Sequence, residues 1–435
     1  MKSSNSFSDD DTLHFIRRDR IWLPTIMNMP KVSPFFCLSL ILTSMLGFFI
    51  LYYSANPFTN TPPHPHHQLG FSSLHLPHDD EQYKSCDLFK GRWVPDINGS
   101  LYSNWSCSTI PESKNCFKNG RRDADFVSWK WAPDQCELPR FDPGIFLETV
   151  RDKKMAFIGD SLARNHMESL LCLLSQEEVP VDIFKDPGDR FRTWQFTRHN
   201  FTLMILWSKF LVMSKERLIN NSSSGVFDLQ LDRVDDNWAA KLSGIDFAII
   251  SDAHWFFRKI YLHEGGNMTG CVYCSEPGVT DLGLSFALRM SFRAALSHIN
   301  RCSECGLGMT TLLRTFSPAH FENGTWDNGG SCNRTSPRAE EGNEFGRFEL
   351  ELRSIQVEEL ERARRKGKGT GKRFEALDIT RAMLMRPDGH PGSYWGNKWM
   401  KGYDDCVHWC LPGPIDVWND LLMAILKKNS GFPLD

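Results

Sequence analysis

Residues 155–174 read Met-Ala-Phe-Ile-Gly-Asp-Ser-Leu-Ala-Arg-Asn-His-Met-Glu-Ser-Leu-Leu-Cys-Leu-Leu, a pattern that few folds accommodate. Met155 to Ile158 form a short apolar run suited to a buried strand. Gly159-Asp160 supply a turn, and from Ser161 the positions Leu162, Met167, Leu170, Leu171 and Leu174 recur at roughly helical spacing. Active sites in parallel α/β sheets lie beyond the carboxyl ends of strands, where Ser161 falls. A serine on such a turn can expose its hydroxyl as a nucleophile, with free N–H groups of the first helical turn ready for an oxyanion. It can equally be no more than a helix cap. The stretch alone does not separate the two.

Compartment comes from a second apolar run. Residues 35–53 hold nineteen residues without a charge, enough for a membrane-spanning helix of about 20 residues. Lys2, Arg17, Arg18, Arg20 and Lys31 precede it, and no Lys or Arg follows until Lys84. This asymmetry places a tail at 1–34 in the cytosol, a signal anchor at 35–53 and the remainder across the membrane. Residues 54–80, rich in Pro, His and Ser, read as an extended stalk, and its cluster at His64, His66 and His67 reads as exposed linker rather than a metal site. The rest, 81–435, is expected to be lumenal. It carries glycosylation acceptors at Asn98, Asn104, Asn200, Asn220, Asn221, Asn267, Asn323 and Asn333. It also carries twelve of the thirteen Cys, an even number suited to disulfides. The net charge of −3, with no basic stripe, gives no reason to expect nucleic acid.

Within the lumenal part, 86–141 is crowded with Cys, Trp, Gly and Pro and reads as an irregular, disulfide-stapled segment packed on the main body. Strands are expected at 155–158, 201–208, 246–251, 308–316 and 374–379, and helices at 161–175, 284–300, 346–365 and 414–427. The alternation predicts a mostly parallel sheet with helices on both faces, an α/β core over 150–430. The basic run 364–373 lacks phosphate-loop spacing and follows a helix, so it reads as a flexible loop. Cys271/Cys274 and Cys302/Cys305 form two C-x-x-C pairs; in an oxidising compartment they read as disulfides and not zinc ligands.

Near the carboxyl end, Asp405 and His408 stand three residues apart between Cys406 and Cys410. A nucleophilic serine needs a base, and that base needs a carboxylate on its other nitrogen. D-x-x-H is a weak signal by itself; two cysteines flanking the histidine would pin the turn.

These pieces form a set. CDLFKGRWV at Cys86, NCFKNGRRD at Asn115, WAPDQCELPRF at Trp131, FIGDSLARN from Phe157, RTFSPAHFENGTW at Arg314, RPDGHPG at Arg386 and DCVHWCLPGPIDVWND at Asp405 fall in order along the chain. The sequence resembles the plant trichome birefringence-like family of polysaccharide O-acetyltransferases. That resemblance implies an α/β/α sandwich related to GDSL/SGNH esterases, with Ser161 as nucleophile, His408 as base and Asp405 as its partner. It implies a single-pass type II protein of the Golgi membrane, an acetyl donor (acetyl-CoA or another carrier), a hemicellulose acceptor and association with other wall-polysaccharide acetylation proteins. No bound cofactor or metal is implied. SDAHWFFRKIYLHEGG and GCVYCSEP are most similar to xyloglucan-acting branches, with mannan-acting ones next. An acetylesterase and a non-catalytic polymer-binding protein are the competing readings.

In one place the sequence departs from the related esterases. They usually supply an oxyanion donor from an Asn in a G-x-N-D block; Ser251-Asp-Ala-His254 has none. The Ser161 N–H is then the expected oxyanion donor, Gly159 and Asp160 shape the turn, and Asn165 is a second donor or a brace for the loop. Trp326, Tyr394, Trp395 and Trp399 are expected to line the sugar groove, because aromatic faces stack on sugar rings.

Overall fold

The apolar run at 155–158 becomes the middle of a sheet because both of its faces are covered. The structure is a computed structural model that describes residues 86–306, 308–339, 345–396 and 402–430. The expected tail, anchor and stalk, and Trp399, lie outside the described residues. Among those described, no helix is long and apolar enough to cross a membrane.

In chain order, β1 (Gly91–Pro95) and β2 (Trp129–Pro133) pair antiparallel within the cysteine-rich segment. Then follow α1 (Pro143–Thr149), β3 (Lys154–Gly159), α2 (Ser161–Leu174), β4 (Val181–Lys185), β5 (Phe191–Phe196) and β6 (Phe201–Trp207). Next come β7 (Val212–Ile219), β8 (Ser222–Val234), α3 (Asp236–Ala239), β9 (Phe247–Ser251), β10 (Ile260–Glu264) and β11 (Asn267–Val272). The last elements are α4 (Gly283–Arg301), β12 (Thr310–Arg314), α5 (Arg347–Lys366), β13 (Arg373–Leu377), α6 (Thr380–Leu384) and α7 (Val417–Ser430).

Seven strands form the main sheet in the order β13-β12-β9-β3-β6-β5-β4. The five from β13 to β6 run parallel, and β5 and β4 join antiparallel. Alternate residues of β3 enter two separate cores. Met155 and Phe157 pack with α1, α2 and α7, while Ala156 and Ile158 pack with α4 and α5. This is why the strand reads as a continuous apolar run instead of an alternating one. The five expected strands and four expected helices are present; 308–316 shortens to β12, and 414–427 opens with a 3₁₀ turn at 414–416 before α7.

Sequence reasoning did not anticipate a second sheet, β11-β10-β8-β7, built by long polar hairpins whose side chains are mixed and half exposed. Helix α2 also departs from expectation. Its spacing suggests one apolar face, yet only Arg164 of its fourteen residues is not buried. The cysteine-rich segment covers the other side: Cys107 bonds to Cys172 of α2, Cys116 bonds to Cys410, and Lys114 pairs with Glu168 at 3.1 Å. Trp131 is buried, and Trp93 donates its indole N–H to Ala382 O at 2.8 Å. The basic run is anchored rather than flexible. Lys372 Nζ donates to the carbonyls of Ile299, Asn300 and Cys302, satisfying the last turn of α4. Both C-x-x-C pairs are internal disulfides.

Two acids tie the cysteine-rich segment to α2 and α7. Asp416 accepts from Tyr102 Oη at 2.9 Å and Ser169 Oγ at 2.6 Å, and Asp420 accepts from the Phe141 N–H at 2.9 Å. Burial pushes Asp416 up to about 6 and Asp420 up to about 7, the latter helped by its neighbour Asp416. Unfolded carboxyls titrate near ~3.9, so the folded state holds extra protons between pH ~4 and ~7 and stability falls as pH rises through that window. Asp420→Asn keeps an oxygen for the Phe141 N–H. It is expected to gain about 1–2 kcal/mol at a pH of roughly 7.5 and nothing below pH ~4, as measured by chemical denaturation at both values.

Candidate active site

The turn after β3 is dictated by one close approach. Gly159 pairs with Ser251 of β9 at φ +144°, and a Cβ there would stand 1.7 Å from the Ser251 carbonyl oxygen. Only glycine fits. Asp160 then caps α2, its Oδ1 accepting the Leu162 N–H at 3.0 Å and its Oδ2 accepting the N–H groups of Ala253 and His254, each at 3.3 Å. The helix cap is therefore Asp160, which leaves the Ser161 hydroxyl free of that task.

That hydroxyl meets the carboxyl-terminal turn. Ser161 Oγ lies 2.8 Å from His408 Nε2, and His408 Nδ1 lies 2.8 Å from Asp405 Oδ2. Asp405 Oδ1 accepts the N–H groups of Val407 at 3.1 Å and His408 at 3.0 Å. Burial alone would raise the Asp405 carboxyl. The His408 charge, the imidazole hydrogen bond and the two backbone N–H groups outweigh it and hold the carboxyl well below the usual range. An ionised Asp405 has no proton to give, so His408 Nδ1 must donate, and in the neutral imidazole this leaves the Nε2 lone pair for the serine proton. The arrangement can remove a proton from Ser161 and return it.

Disulfides hold this turn at both ends: Cys406 to Cys332 and Cys410 to Cys116. Asp405 also exchanges backbone hydrogen bonds with Gly392, at 2.9 and 3.1 Å. Asn165 faces the loop and not the serine. Its Oδ1 accepts the Trp409 N–H at 2.8 Å and its Nδ2 donates to Trp409 O at 3.3 Å, so the amide is spent as a brace.

The expected aromatic groove is only partly present. Trp395 is buried and donates its indole N–H to Tyr403 O at 2.9 Å, which makes it a core residue instead of a sugar platform. Tyr394 is exposed, and Trp326 is half-buried with its ring 6.4 Å from Tyr403. The glycosylation acceptors lie on the surface, Asn104 half-buried and the others exposed. Asn200, Asn220, Asn221 and Asn323 occupy left-handed turn positions.

Several residues of the site escaped the sequence reading. Asp252 and Arg314 are buried at the carboxyl ends of β9 and β12. Burial, with Asp160 nearby, pushes Asp252 well up; burial pulls Arg314 down to about 10 against the attraction of the two acids. His254 is buried, lies 2.9 Å from Ser317 O through Nε2 and is driven by burial down to about 4. Polar residues directly after apolar strands were the available signal. The Ser251–His254 block spends the backbone N–H groups of Ala253 and His254 on Asp160.

Residues 138–425 match PC-Esterase, described as the GDSL/SGNH-like acyl-esterase family found in Pmr5 and Cas1p. The chain belongs to this family. Ser161, Asp405 and His408 all fall inside the PC-Esterase region, and residues 84–137 match the PMR5 N-terminal domain. Xyloglucan O-acetyltransferase 4 of Populus trichocarpa is 60% identical over 412 residues, 95% of each chain. Xyloglucan O-acetyltransferase 2 of Arabidopsis thaliana is 51% identical over 429 residues, covering 98% of this chain and all of its own. Protein trichome birefringence-like 19 of the same plant is 46% identical over 355 residues, 80% of this chain and 82% of its own. The PC-Esterase core and the PMR5 N-terminal domain meet at the site, since Cys116 of the latter bonds to Cys410 of the former.

Replacing Gly159 by Ala forces the β3–β9 contact open at a left-handed position. It is expected to cost roughly 3 kcal/mol or more, or to abolish folding, as read from yield and thermal unfolding.

Proposed function

We propose that this protein transfers acetyl groups to xyloglucan hydroxyls through an acetyl-serine intermediate on Ser161. The observation that carries the reading is the continuous hydrogen-bonded chain Ser161–His408–Asp405 at the carboxyl end of β3. The similarity to xyloglucan O-acetyltransferases supports the acceptor. The two faces of helices around the sheet agree with an α/β/α sandwich of the GDSL/SGNH kind.

In the first half, His408 Nε2 takes the Ser161 proton as Oγ attacks the donor carbonyl carbon. The tetrahedral oxygen gathers negative charge at the start of α2, where the Ser161 N–H is the donor assigned to it. The bond to the donor's leaving atom breaks, the proton on His408 passes to that atom, and acetyl remains on Oγ. In the second half, His408 deprotonates a sugar hydroxyl that attacks the acetyl carbon. Ser161 Oγ leaves and recovers the proton, and one acetyl ester is formed for one broken. Asp405 stabilises the imidazolium in both halves. Transfer to sugar instead of water requires the glycan to be held against the ester while water is kept away. Tyr394 and Trp326, beside the Asp405 turn, are the aromatic groups assigned to that task, with Trp399.

The donor in this reading is acetyl-CoA or another acetyl carrier. We further propose that residues 35–53 anchor the protein in the Golgi membrane as a single-pass type II protein, with 81–435 lumenal. The acceptors Asn98 to Asn333 would there carry glycans, alongside other wall-polysaccharide acetylation proteins.

The test uses the full chain with an acetyl donor and xyloglucan, mannan or xylan oligosaccharides, with products weighed by mass spectrometry. Acetylated xyloglucan and a trapped acetyl-Ser161 peptide are expected, and Ser161→Ala is expected to lose about 10³-fold or more. Undiminished transfer by Ser161→Ala would remove the nucleophile assignment. Acetate release from acetylated glycan, with no acetylated product, would make the protein an esterase.

A further inference from the structure

Behind the Asp405–His408 turn lie two buried histidines that the reaction above does not use. His390 belongs to Arg386-Pro-Asp-Gly-His-Pro-Gly392, and His320 follows β12. Their exposures are 2% and 8%. His320 Nδ1 is 2.7 Å from His390 Nε2, His390 Nδ1 is 2.6 Å from the His408 carbonyl oxygen, and His320 Nε2 is 3.2 Å from Leu384 O. The three contacts form one line that ends on the peptide carrying His408.

Counting protons fixes the state of this line. Both ends are carbonyl oxygens, which only accept, so making all three bonds requires three protons on the four nitrogens. Two neutral rings hold two. Burial drives His390 down to about 4 and His320 well below its ordinary value, so the pair is neutral near pH 7. One contact must then go unmade. The His320–Leu384 contact is the longest, and Leu384 O already receives Arg338 Nε at 3.1 Å. Giving up either of the others would set a nitrogen lone pair against another lone pair at 2.7 or 2.6 Å. The least costly arrangement puts both protons on Nδ1: His320 donates to His390, and His390 donates to His408 O.

We infer that His390 and His320 are positioning residues for the acetyl transfer, His390 fixing the His408 peptide and His320 fixing the tautomer of His390. The inference rests on His408 being the base. Further contacts lock the pair to the same turn. The His320 N–H donates to Cys406 O at 3.1 Å, and Arg121 Nη1 donates to His390 O at 3.0 Å. The His390 ring lies 4.1 Å from the Trp409 ring, so a packing role is the alternative that the variants must separate. Releasing the carbonyl would let the base drift from Ser161 Oγ, and a displacement of about 1 Å can cost about 10²-fold in rate.

His390→Phe keeps a ring against Trp409 and removes the donor. His390→Asn loses the ring but places an amide N–H where Nδ1 stood. Positioning predicts that Phe lowers kcat about 10- to 100-fold with KM for the glycan within about threefold, and that Asn retains more turnover than Phe. Packing predicts the reverse order, and that order, or wild-type turnover by a folded His390→Phe, overturns the inference. Nitrogen NMR of the unmutated full chain, labelled at histidine, is the second measurement and needs no variant to fold. Both His320 and His390 are expected to carry the proton on Nδ1 at neutral pH; a bare His390 Nδ1 overturns the inference whatever the activities. His408→Gln separates this test from that of the function itself. Full activity there refutes His408 as the base, whereas an inactive His408→Gln beside a fully active His390→Phe refutes only the positioning pair.

Discussion

The hydrogen bond between Ser161 Oγ and His408 Nε2 joins residues 247 apart in the chain, and most of the tightly built features of the protein serve that contact. One hydrogen bond contributes about 1 kcal/mol net, far less than the entropy of closing a loop of that length. It therefore cannot hold itself together. Gly159 lets β3 approach β9 closely enough to present the serine from a rigid sheet. Two disulfides, the backbone exchange between Asp405 and Gly392 and the Asn165 brace fix the opposite side.

The cysteine-rich segment is part of that machinery. Its Arg121 donates to the carbonyls of Asp388 and His390 and stacks on Phe126, and its Cys116 holds Cys410, two residues from His408. Arg386 and Asp388, both wholly buried, pair at 2.8 Å, and the guanidinium reaches Phe126 O and the face of Trp93. Breaking such a pair from one side leaves an uncompensated charge, which makes its geometry hard to change by small steps. The PMR5 N-terminal region and the PC-Esterase region thus behave as one physical unit at the site, and the first covers a helix that the second would otherwise leave exposed.

Much of this was legible beforehand, for reasons that differ by element. The strand at 155–158 and the helix after it were visible because burial on two faces leaves an unbroken apolar run and a helix leaves its own period. Asp405 and His408 were visible only through their flanking cysteines and the resemblance, since the spacing itself is common. The second sheet was hidden, because its hairpins are half-exposed and mixed in polarity. Trp395 was misjudged because an indole on a sugar platform and one in a core look the same in sequence; its N–H on Tyr403 O decides between them. Asn165 carried two readings, and the position of Trp409 selected one.

By itself, the sequence determined which chemical groups are available: a serine on a strand-to-helix turn shaped by a glycine and an acidic residue, and a carboxylate and an imidazole on a turn flanked by cysteines. Local periodicity and covalent chemistry are written residue by residue, so they can be read that way. Which groups meet was decided only by the tertiary structure. The pairing of Cys116 with Cys410, the burial of Asp252 and Arg314 under the turn, and the line from His320 through His390 to His408 all depend on contacts between distant segments. Their physical content lies in distances and in the exclusion of water, and neither exists until the chain has closed.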